Sequence, residues 1–567
     1  MAASTHWLAT ATAQSVLERG GNAFDAAAAG AFVLHVVEPH LNGPGGDLVG
    51  IFQAADDSSP TILMGQGPAP QGATLDHFAS EGLDLVPGAG ALAAAIPGAV
   101  DAWLLLLRDK GTWHLDAVLE YAIGYARNGH PLLDRVARTI DSVRELFDEH
   151  WPTSAALWGS AKAGEVFRNP EYALVLERLS ASAGDSREER IDAARREWST
   201  GYVAETIAEF VTHPHRHSSG TDHAGVLTRE DLAGFAASYE PAVSIEFRGH
   251  TIAKSGAWGQ GPALLQTLTI LDGYDDNHLD PSTALGAHTI LEAQKLAIAD
   301  REAYYGDADV PLDQLLSPEY ASERRTQIAD DAFADFRPGT VPGHEAFLPP
   351  LYVEGQSFTG TGEPTVSKNG TTRGDTCHID VVDRWGNIVA VTPSGGWLQS
   401  SPAIPGLGFC LGTRLQMTWL TPGTPSTLTP GKRPRTTLTP TLVLRDGSPV
   451  AALGSPGGDQ QDQWQLLYLL RTIVGGYEPQ QAIDAPAFHS TSFPGSFWPR
   501  TWEPGGAVVE DRLGDSVIAD LEARGHVLTR AGDWSLGRVS AVGIEPATGI
   551  RFAAANPRGN QGYAAGR

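Results

Sequence analysis

Thr376 stands where a long polar stretch meets an alternating apolar run, and its hydroxyl is the most promising nucleophile in the chain. The stretch of about 355–375 before it contains Gly, Ser, Thr, Asn and Pro with almost no apolar periodicity, which predicts an accessible, flexible linker. Cleavage between Asp375 and Thr376 would give Thr376 a free α-amine beside its hydroxyl, so one residue would hold nucleophile and base. The alternative is an ordinary strand residue, since Thr is common in strands.

Two further polar segments have the composition of ligand-binding loops. Gly454-Ser455-Pro456-Gly457-Gly458-Asp459 separates a predicted strand from a predicted helix, where glycines let backbone amides approach an oxyanion. It could equally be a plain connection that needs positive φ. The run 433–440 sets Thr436 and Thr437 before a strand, either as substrate contacts or as the end of a turn.

The elements that would position these residues follow from periodicity. Cys377, Ile379 and Val381 alternate with polar residues, and a turn at 383–387 leads into the apolar run 388–391, which predicts a hairpin opened by Thr376. Helices are predicted at 8–19, 23–37 and 459–473, the span 103–324 is mostly helical in pattern, and short strands dominate after Thr376. Helices outside stacked sheets are therefore expected.

The composition, net charge and cysteine count exclude several classes of protein. With 567 residues, 42% hydrophobic and 19% charged content, the chain has the composition of an ordered globular protein. Its net charge of −27 argues against a nucleic-acid partner and against binding to anionic membranes. Two cysteines and the absence of Cys/His zinc spacing predict no metal and no cofactor. Since no run of eighteen apolar residues and no signal peptide is found, a cytoplasmic protein is predicted.

Together the motifs carry a resemblance to a known family. The Gly-Asp-Thr sequence before the hairpin, the run 433–440 and Gly454–Gly458 resemble the gamma-glutamyltranspeptidase family of N-terminal-nucleophile hydrolases. Segments 20–27, 45–47, 97–98, 299–307 and 556–558 extend the resemblance over nearly the whole chain.

The resemblance implies an α+β fold, a four-layer αββα sandwich that is cut autocatalytically. A large subunit of residues 1–375, a helical covering with part of the sheets, and a sheet-rich small subunit of residues 376–567 would then form one αββα unit. The partners implied are these two subunits of one precursor and a small-molecule amide substrate, with a possible dimer of heterodimers.

The same resemblance implies roles for individual residues. Thr376 would be the nucleophile for self-cleavage and turnover, and Ser394 would hydrogen-bond it. Gly457 and Gly458 would donate to the oxyanion. Thr436, Thr437 and Gln416 would contact the substrate.

Three positions depart from the family pattern. Trp419 replaces the acidic residue that holds the glutamyl α-amine, Leu75 replaces the arginine for the α-carboxylate, and Gly396 replaces a pocket asparagine. A zwitterionic head group would lose its ionic partners, although Arg414 or Arg435 could supply a cation. Trp419 favours an apolar or aromatic acyl group if it lines the pocket, and otherwise packs in the core. The sequence therefore resembles a divergent, non-glutathione branch of the family.

The function expected from the sequence is that of an autoprocessing N-terminal-threonine hydrolase, which cleaves an amide through an acyl ester on Thr376. One alternative is a gamma-glutamyl transferase or hydrolase that acts on glutathione or other gamma-glutamyl amides. A second is a tailoring hydrolase that trims a proline-derived precursor in natural-product biosynthesis. A third, from a different class, is a catalytically silent binding scaffold.

Overall fold

The computed structural model describes residues 1–353, 376–558 and 562–567. Asp375 and the predicted linker, about 355–375, lie outside the described residues. The strands are β1 (Ala2–Ser4), β2 (Asp47–Gln53), β3 (Thr61–Gly65), β4 (His130–Pro131), β5 (Val166–Phe167), β6 (His215–Arg216), β7 (Asp222–His223), β8 (Ser238–Pro241), β9 (Val243–Phe247), β10 (His250–Lys254), β11 (Tyr352–Val353), β12 (Ile379–Val382), β13 (Ile388–Ser394), β14 (Thr441–Arg445), β15 (Ser448–Gly454), β16 (Phe488–Ser490), β17 (Thr501–Trp502), β18 (Gly506–Val509), β19 (Val527–Arg530), β20 (Ser540–Ile544), β21 (Arg551–Ala555) and β22 (Tyr563–Ala565).

The helices are α1 (Trp7–Glu18), α2 (Ala23–Val37), α3 (Leu75–Ser80), α4 (Ala99–Lys110), α5 (Leu115–Asn128), α6 (Asp134–Ser142), α7 (Arg144–His150), α8 (Pro152–Trp158), α9 (Pro170–Ser180), α10 (Arg187–Ser199), α11 (Tyr202–Phe210), α12 (Arg229–Gly234), α13 (Gly261–Leu271), α14 (Ala284–Tyr304), α15 (Leu312–Leu315), α16 (Pro318–Arg325), α17 (Gln461–Leu469), α18 (Pro479–Asp484) and α19 (Asp515–Ala523). None of these helices is both long and apolar enough to cross a membrane.

Two antiparallel sheets form the centre of the molecule. The first has seven strands in the order β22-β1-β12-β13-β2-β3-β8, and the second has six in the order β21-β20-β15-β14-β10-β9. Because β12 and β13 pair between β1 and β2, residues on both sides of the undescribed linker share the first sheet. The two halves of the chain therefore build one unit.

Strand β13 shows how the sequence specifies the layers. Ile388 and Ala390 pack in an apolar cluster shared with β14 and β15 of the second sheet, whereas Val389 and Val391 pack against the helices that include α1 and α2. Successive strand side chains point to opposite faces, so both faces of this strand are buried. Helices α13, α14 and α17 cover the outer face of the second sheet. The layers are αββα, as the resemblance implied.

One part of the sequence-based description was incomplete. Within the span 103–324, expected to be mostly helical, the structure has β8 in the first sheet and β9 and β10 in the second. Strand β10 pairs with β14, almost two hundred residues further along the chain. Partners so distant cannot be seen in a local hydrophobic pattern, and four- or five-residue strands carry too few residues for a clear period.

Candidate active site

Thr376 lies three residues before the first residue of β12, a strand of the first sheet. It forms a backbone bridge with Ser394, the last residue of β13, and its Oγ1 donates a hydrogen bond of 3.3 Å to Ser394 Oγ. Both residues are buried. Cys377 points the other way, into the helix-facing core, where its Sγ contacts Glu38 at 3.1 Å. The predicted pair of hydroxyls is thus brought together, and the neighbouring thiol is kept apart from it.

Strand β2 holds Ser394 from the other side. Ser394 pairs with Asp47, whose carboxylate accepts two hydrogen bonds from Arg414, at 2.7 Å and 2.8 Å. Burial raises the pKa of Asp47, and the Arg414 guanidinium opposes that effect. Arg414, considered from the sequence as a substitute cation for the substrate, therefore already has a carboxylate partner.

The glycine loop between β15 and α17 has the conformation that its composition predicts. Gly457 has φ of +130° and Gly458 φ of +55°, values that L side chains rarely adopt. Neither of their backbone N–H groups donates to another described residue. Gly454, at the start of this loop, packs so closely on the His378 ring that a Cβ there would lie 2.1 Å from it. Two free amides therefore lie at the end of a strand that packs against the strand of the nucleophile.

Gln260 connects this loop to the threonine pair. Its backbone N–H donates to Thr436 O at 3.0 Å, and its side-chain amide donates to Gly458 O at 3.1 Å. Thr436 Oγ1 accepts the backbone N–H of Leu438, whereas Thr437 Oγ1 is buried and has no hydrogen-bond partner among the described residues. Of the two threonines, Thr437 is the one whose hydroxyl makes no hydrogen bond to a described residue.

Gln416 lies in a 3₁₀ turn, Arg414–Met417, in the wall of the same region. Its side-chain amide donates to Thr413 Oγ1 and Gly88 O, and its Oε1 accepts the backbone N–H of Trp498. The Gln416 side chain therefore organises the wall.

Gly396 has φ of +65°, and a Cβ there would lie 2.9 Å from Gly46 N. Glycine allows the two loops to approach closely at this position, where the family pattern has an asparagine.

Trp419 and Leu75, the two other departures from the family pattern, lie in different surroundings. Trp419 is buried between Phe347 and the guanidinium of Arg500, which lies 4.0 Å from the centroid of the Trp419 ring. The Nε1 of Trp419 has no hydrogen-bond partner in the part of the chain that the structure describes. Leu75 is half-buried at the start of α3, against an apolar cluster that contains Phe78 and Leu415.

A buried charge network behind the site was missed by sequence reasoning. Arg301 pairs with Asp459 at 2.6 Å and with Glu302 at 2.9 Å, and Arg435 pairs with Glu302 at 2.6 Å. Arg435 is thus occupied and does not serve as the substitute cation considered from the sequence. The run Ala299-Asp300-Arg301 was noted only as a family match, because Asp459, which pairs with Arg301, lies 158 residues further along the chain. Arg500, which interacts electrostatically with Glu302 and Arg435, is the fifth member of this network. It belongs to none of the sequence motifs.

One cluster of the described residues has the residue types of a metal site. The cluster consists of three residues, His288 and Glu292 on α14 together with His526. Their possible ligand atoms all lie within 4.8 Å of one another. The Lys295 ammonium donates to Glu292 at 2.7 Å, and His288 bonds to His526 at 2.9 Å. These internal partners account for the cluster without an ion. Sequence spacing could not reveal it, because His526 is more than two hundred residues from His288.

Comparisons with known proteins show similarity over nearly the whole chain. The model of the family described as gamma-glutamyltranspeptidase matches residues 9–566. The glutathione hydrolase-like YwrD proenzyme of Bacillus subtilis is 29% identical, over 99% of this chain and 97% of that protein. The solved structure of LmbA2991HD is 52% identical with a TM-score of 0.94, covering 100% of this chain and 98% of that one. Cephalosporin acylase from Bacillus halodurans is 27% identical with a TM-score of 0.83, covering 100% and 95%.

Proposed function

The chain belongs to the gamma-glutamyltranspeptidase family of N-terminal-nucleophile amidohydrolases, and we propose that it is an autoprocessing amide hydrolase with Thr376 as nucleophile. The observation that carries the proposal is the placement of the Thr376 hydroxyl, bonded to Ser394, on a sheet that packs against the strand leading to Gly457 and Gly458. Nucleophile and oxyanion donors are then supplied by facing sheets.

The proposed reaction uses Thr376 twice. In maturation its Oγ1 attacks the carbonyl carbon of Asp375 and the peptide C–N bond breaks, so that the α-amine is released and takes up the hydroxyl proton. Water then hydrolyses the resulting ester, which frees the Asp375 carboxylate and the Thr376 hydroxyl. In turnover the α-amine takes the hydroxyl proton while Oγ1 attacks the substrate amide, and the proton passes to the leaving amine. Water then attacks the acyl ester and releases the acid.

Ser394 orients the Thr376 hydroxyl in both stages, and the Gly457 and Gly458 amides stabilise the oxyanion. Gln416, Gly396 and Leu75 shape the pocket, while Trp419, Thr436 and Thr437 contact the acyl group.

Neither cation that the sequence offered for a glutamyl carboxylate is free to bind one. Both cations considered as replacements for the family's arginine, Arg414 and Arg435, are bound to Asp47 and Glu302. Breaking either buried pair to bind a glutamyl group would cost about 3–5 kcal/mol. The alternative of gamma-glutamyl transfer predicts rapid turnover of gamma-glutamyl p-nitroanilide and little turnover of other acyl anilides. The tailoring alternative predicts turnover of a proline-derived precursor but of neither set of anilides.

Denaturing gel electrophoresis of the purified protein tests the proposal. We expect two fragments, with N-terminal sequencing of the smaller one giving Thr-Cys-His-Ile. Thr376→Ala should remain a single chain without activity, whereas Thr376→Ser, which keeps a hydroxyl, should still be cleaved. A wild-type chain that stays intact after prolonged incubation would instead support the binding scaffold.

Two further predictions from the sequence concern the mature protein. We propose that the two fragments stay associated, because strands from both sides of the linker alternate in the first sheet. Sedimentation analysis would show one heterodimer or a dimer of heterodimers. The cytoplasmic location stays a prediction, which cell fractionation would test.

A further inference from the structure

The imidazole of His378 lies completely buried between Thr376 and β12. Cys377 and Ile379 belong to the helix-facing core, so Thr376, His378 and Asp380 share the opposite face, which looks towards the second sheet. Two residues of a strand span about 7 Å. A titratable ring is therefore close to the proposed nucleophile, and the proposed reaction gives it no part.

Both ring nitrogens of His378 have partners. Nε2 lies 2.7 Å from Asp380 Oδ1, and Nδ1 lies 2.9 Å from Thr392 Oγ1 on β13. The Asp380 carboxylate also accepts a hydrogen bond of 2.8 Å from the Ser540 hydroxyl on β20. Burial raises the pKa of Asp380, and the His378 imidazole opposes that effect. The imidazole therefore connects β12 and β13 of the first sheet to β20 of the second.

The His378 ring also touches the strand that leads to the oxyanion loop. A Cβ at Gly454, the last residue of β15, would lie 2.1 Å from the ring, so a residue with a side chain does not fit there unless the ring moves. Gly454 pairs with Ser540 between β15 and β20. His378, Asp380, Ser540 and Gly454 thus form a closed chain of contacts between the two sheets.

Thr392 gives His378 a contact on the strand of Ser394. In the ladder of β12 and β13, His378 lies opposite Thr392, and the next pair on the same face is Thr376 and Ser394. The hydrogen bond between the Thr376 and Ser394 hydroxyls is therefore one pair away from the bond between His378 and Thr392. Loss of the second bond would free the strand end that carries the first.

An acid, an imidazole and a hydroxyl in this order also have the chemistry of a hydrolase triad. Asp380, His378 and Thr392 are each 0% exposed, however, and the backbone of Gly454 covers the ring. A substrate cannot reach the Thr392 hydroxyl in this arrangement. The three residues therefore act on the reaction through the position of other groups.

We propose that His378 is a positioning residue, which fixes the Thr376 hydroxyl relative to the Gly457 and Gly458 amides by joining β12 and β13 to β15. The inference rests on the proposed function and adds a residue to that same site. Thr376 is two residues from His378, and Gly457 is three residues from Gly454. A displacement of about 1 Å between the two strands would misplace nucleophile and oxyanion donors, which costs roughly 100-fold in rate.

Thr392→Val tests the proposal, because it removes the hydroxyl that contacts His378 and keeps the shape of the side chain. We expect kcat for an acyl p-nitroanilide, per molecule of cleaved chain, to fall roughly 10- to 100-fold while KM changes less than about 3-fold. Thr12→Val is the matched control, since the buried Thr12 hydroxyl bonds to Leu8 O at 2.8 Å within α1. The control should lose similar stability and keep its kcat.

Two substitutions of His378 each keep the equivalent of one ring nitrogen. The amide of His378→Asn takes the place of Nδ1 and can still bond to Thr392, whereas the amide of His378→Gln takes the place of Nε2 and can still bond to Asp380. We expect His378→Asn to retain the higher kcat of the two. If His378 served only to stabilise the fold, activity would follow the loss of stability and not the nitrogen that is kept. Equal kcat in the two variants at equal stability would overturn the proposal.

The gel assay of self-cleavage separates failure of this inference from failure of the proposed function. A wild type that is cleaved and active, with Thr392→Val equal to it in both respects, would reject the role of His378 and leave Thr376 as the nucleophile. A wild type that is neither cleaved nor active would reject both proposals. A loss of kcat in Thr392→Val that is absent from Thr12→Val would support the positioning role.

Discussion

Gly457 is the position where a single methyl group should disable the site. With φ of +130°, a side chain is strained there, and the added Cβ would lie 2.5 Å from the Trp464 ring. Gly457→Ala should therefore displace the neighbouring amides and lower kcat by roughly 100- to 1000-fold, as loss of one oxyanion donor does. Steady-state kinetics on the best anilide measures this, and the gel shows whether self-cleavage slows as well.

The control for this variant is Gly476→Ala. Gly476 also has positive φ, +66°, but a Cβ there would have no atom within 4 Å. The Gly476→Ala variant should lose some stability through backbone strain and keep the kcat of the wild type. Wild-type turnover in Gly457→Ala would show that the glycine loop is only a connection between β15 and α17.

At the scale of elements, the pair of Asp47 on β2 and Arg414 in the 3₁₀ turn joins the first sheet to the pocket wall. Both side chains are at most 5% exposed, and the carboxylate is bound by two guanidinium nitrogens. Arg414→Met would leave the Asp47 charge buried and unpaired, which costs about 3–5 kcal/mol. We expect this loss of unfolding free energy in urea denaturation, together with lower turnover, because Asp47 pairs with Ser394.

Arg229→Met provides the comparison for this prediction. Arg229 forms an ion pair with Glu205 in which both side chains are more than half exposed. Such surface pairs contribute about 0–1 kcal/mol. If both variants lost equally little stability, the Asp47 pair would not be what fixes the wall.

Sequence reasoning succeeded where a residue's role is set by its immediate neighbours. The β12–β13 hairpin follows from period-two alternation around a turn, and the loop at Gly457 follows from glycines between a strand and a helix. The αββα layers came from the family resemblance. The roles of the site residues stay predictions.

Sequence reasoning failed where a role is set by distant partners. Arg414 and Arg435 each seemed free in the sequence, yet each has a carboxylate partner that is more than a hundred positions away. Arg500, which has no carboxylate partner within 4.0 Å among the described residues, belongs to no motif. Only the folded arrangement distinguishes a paired from an unpaired arginine.

At the scale of the whole molecule, buried neutral histidines should make the protein sensitive to acid. Burial lowers the pKa of His6, His35, His217, His489 and His526 to about 3 in each case. An unfolded histidine takes up a proton below about pH 6.5, whereas these folded ones do not. The free energy of unfolding should therefore fall as the pH drops from about 6.5 towards 3, by up to about 1.4 kcal/mol per histidine per pH unit.

The melting temperature measured from pH 7.5 to pH 5.0 checks this prediction, and we expect it to be level above about pH 6.5 and to fall below that value. His35→Gln should reduce the slope, since it removes one buried titrating group and can keep a hydrogen bond to the Tyr172 hydroxyl, which His35 Nδ1 contacts at 3.2 Å. His114→Gln, at an exposed position before α5, should leave the slope unchanged. Identical slopes in the His35 variant and the wild type would mean that protonation of His35 contributes nothing to the unfolding equilibrium, and the prediction would then be wrong for this histidine.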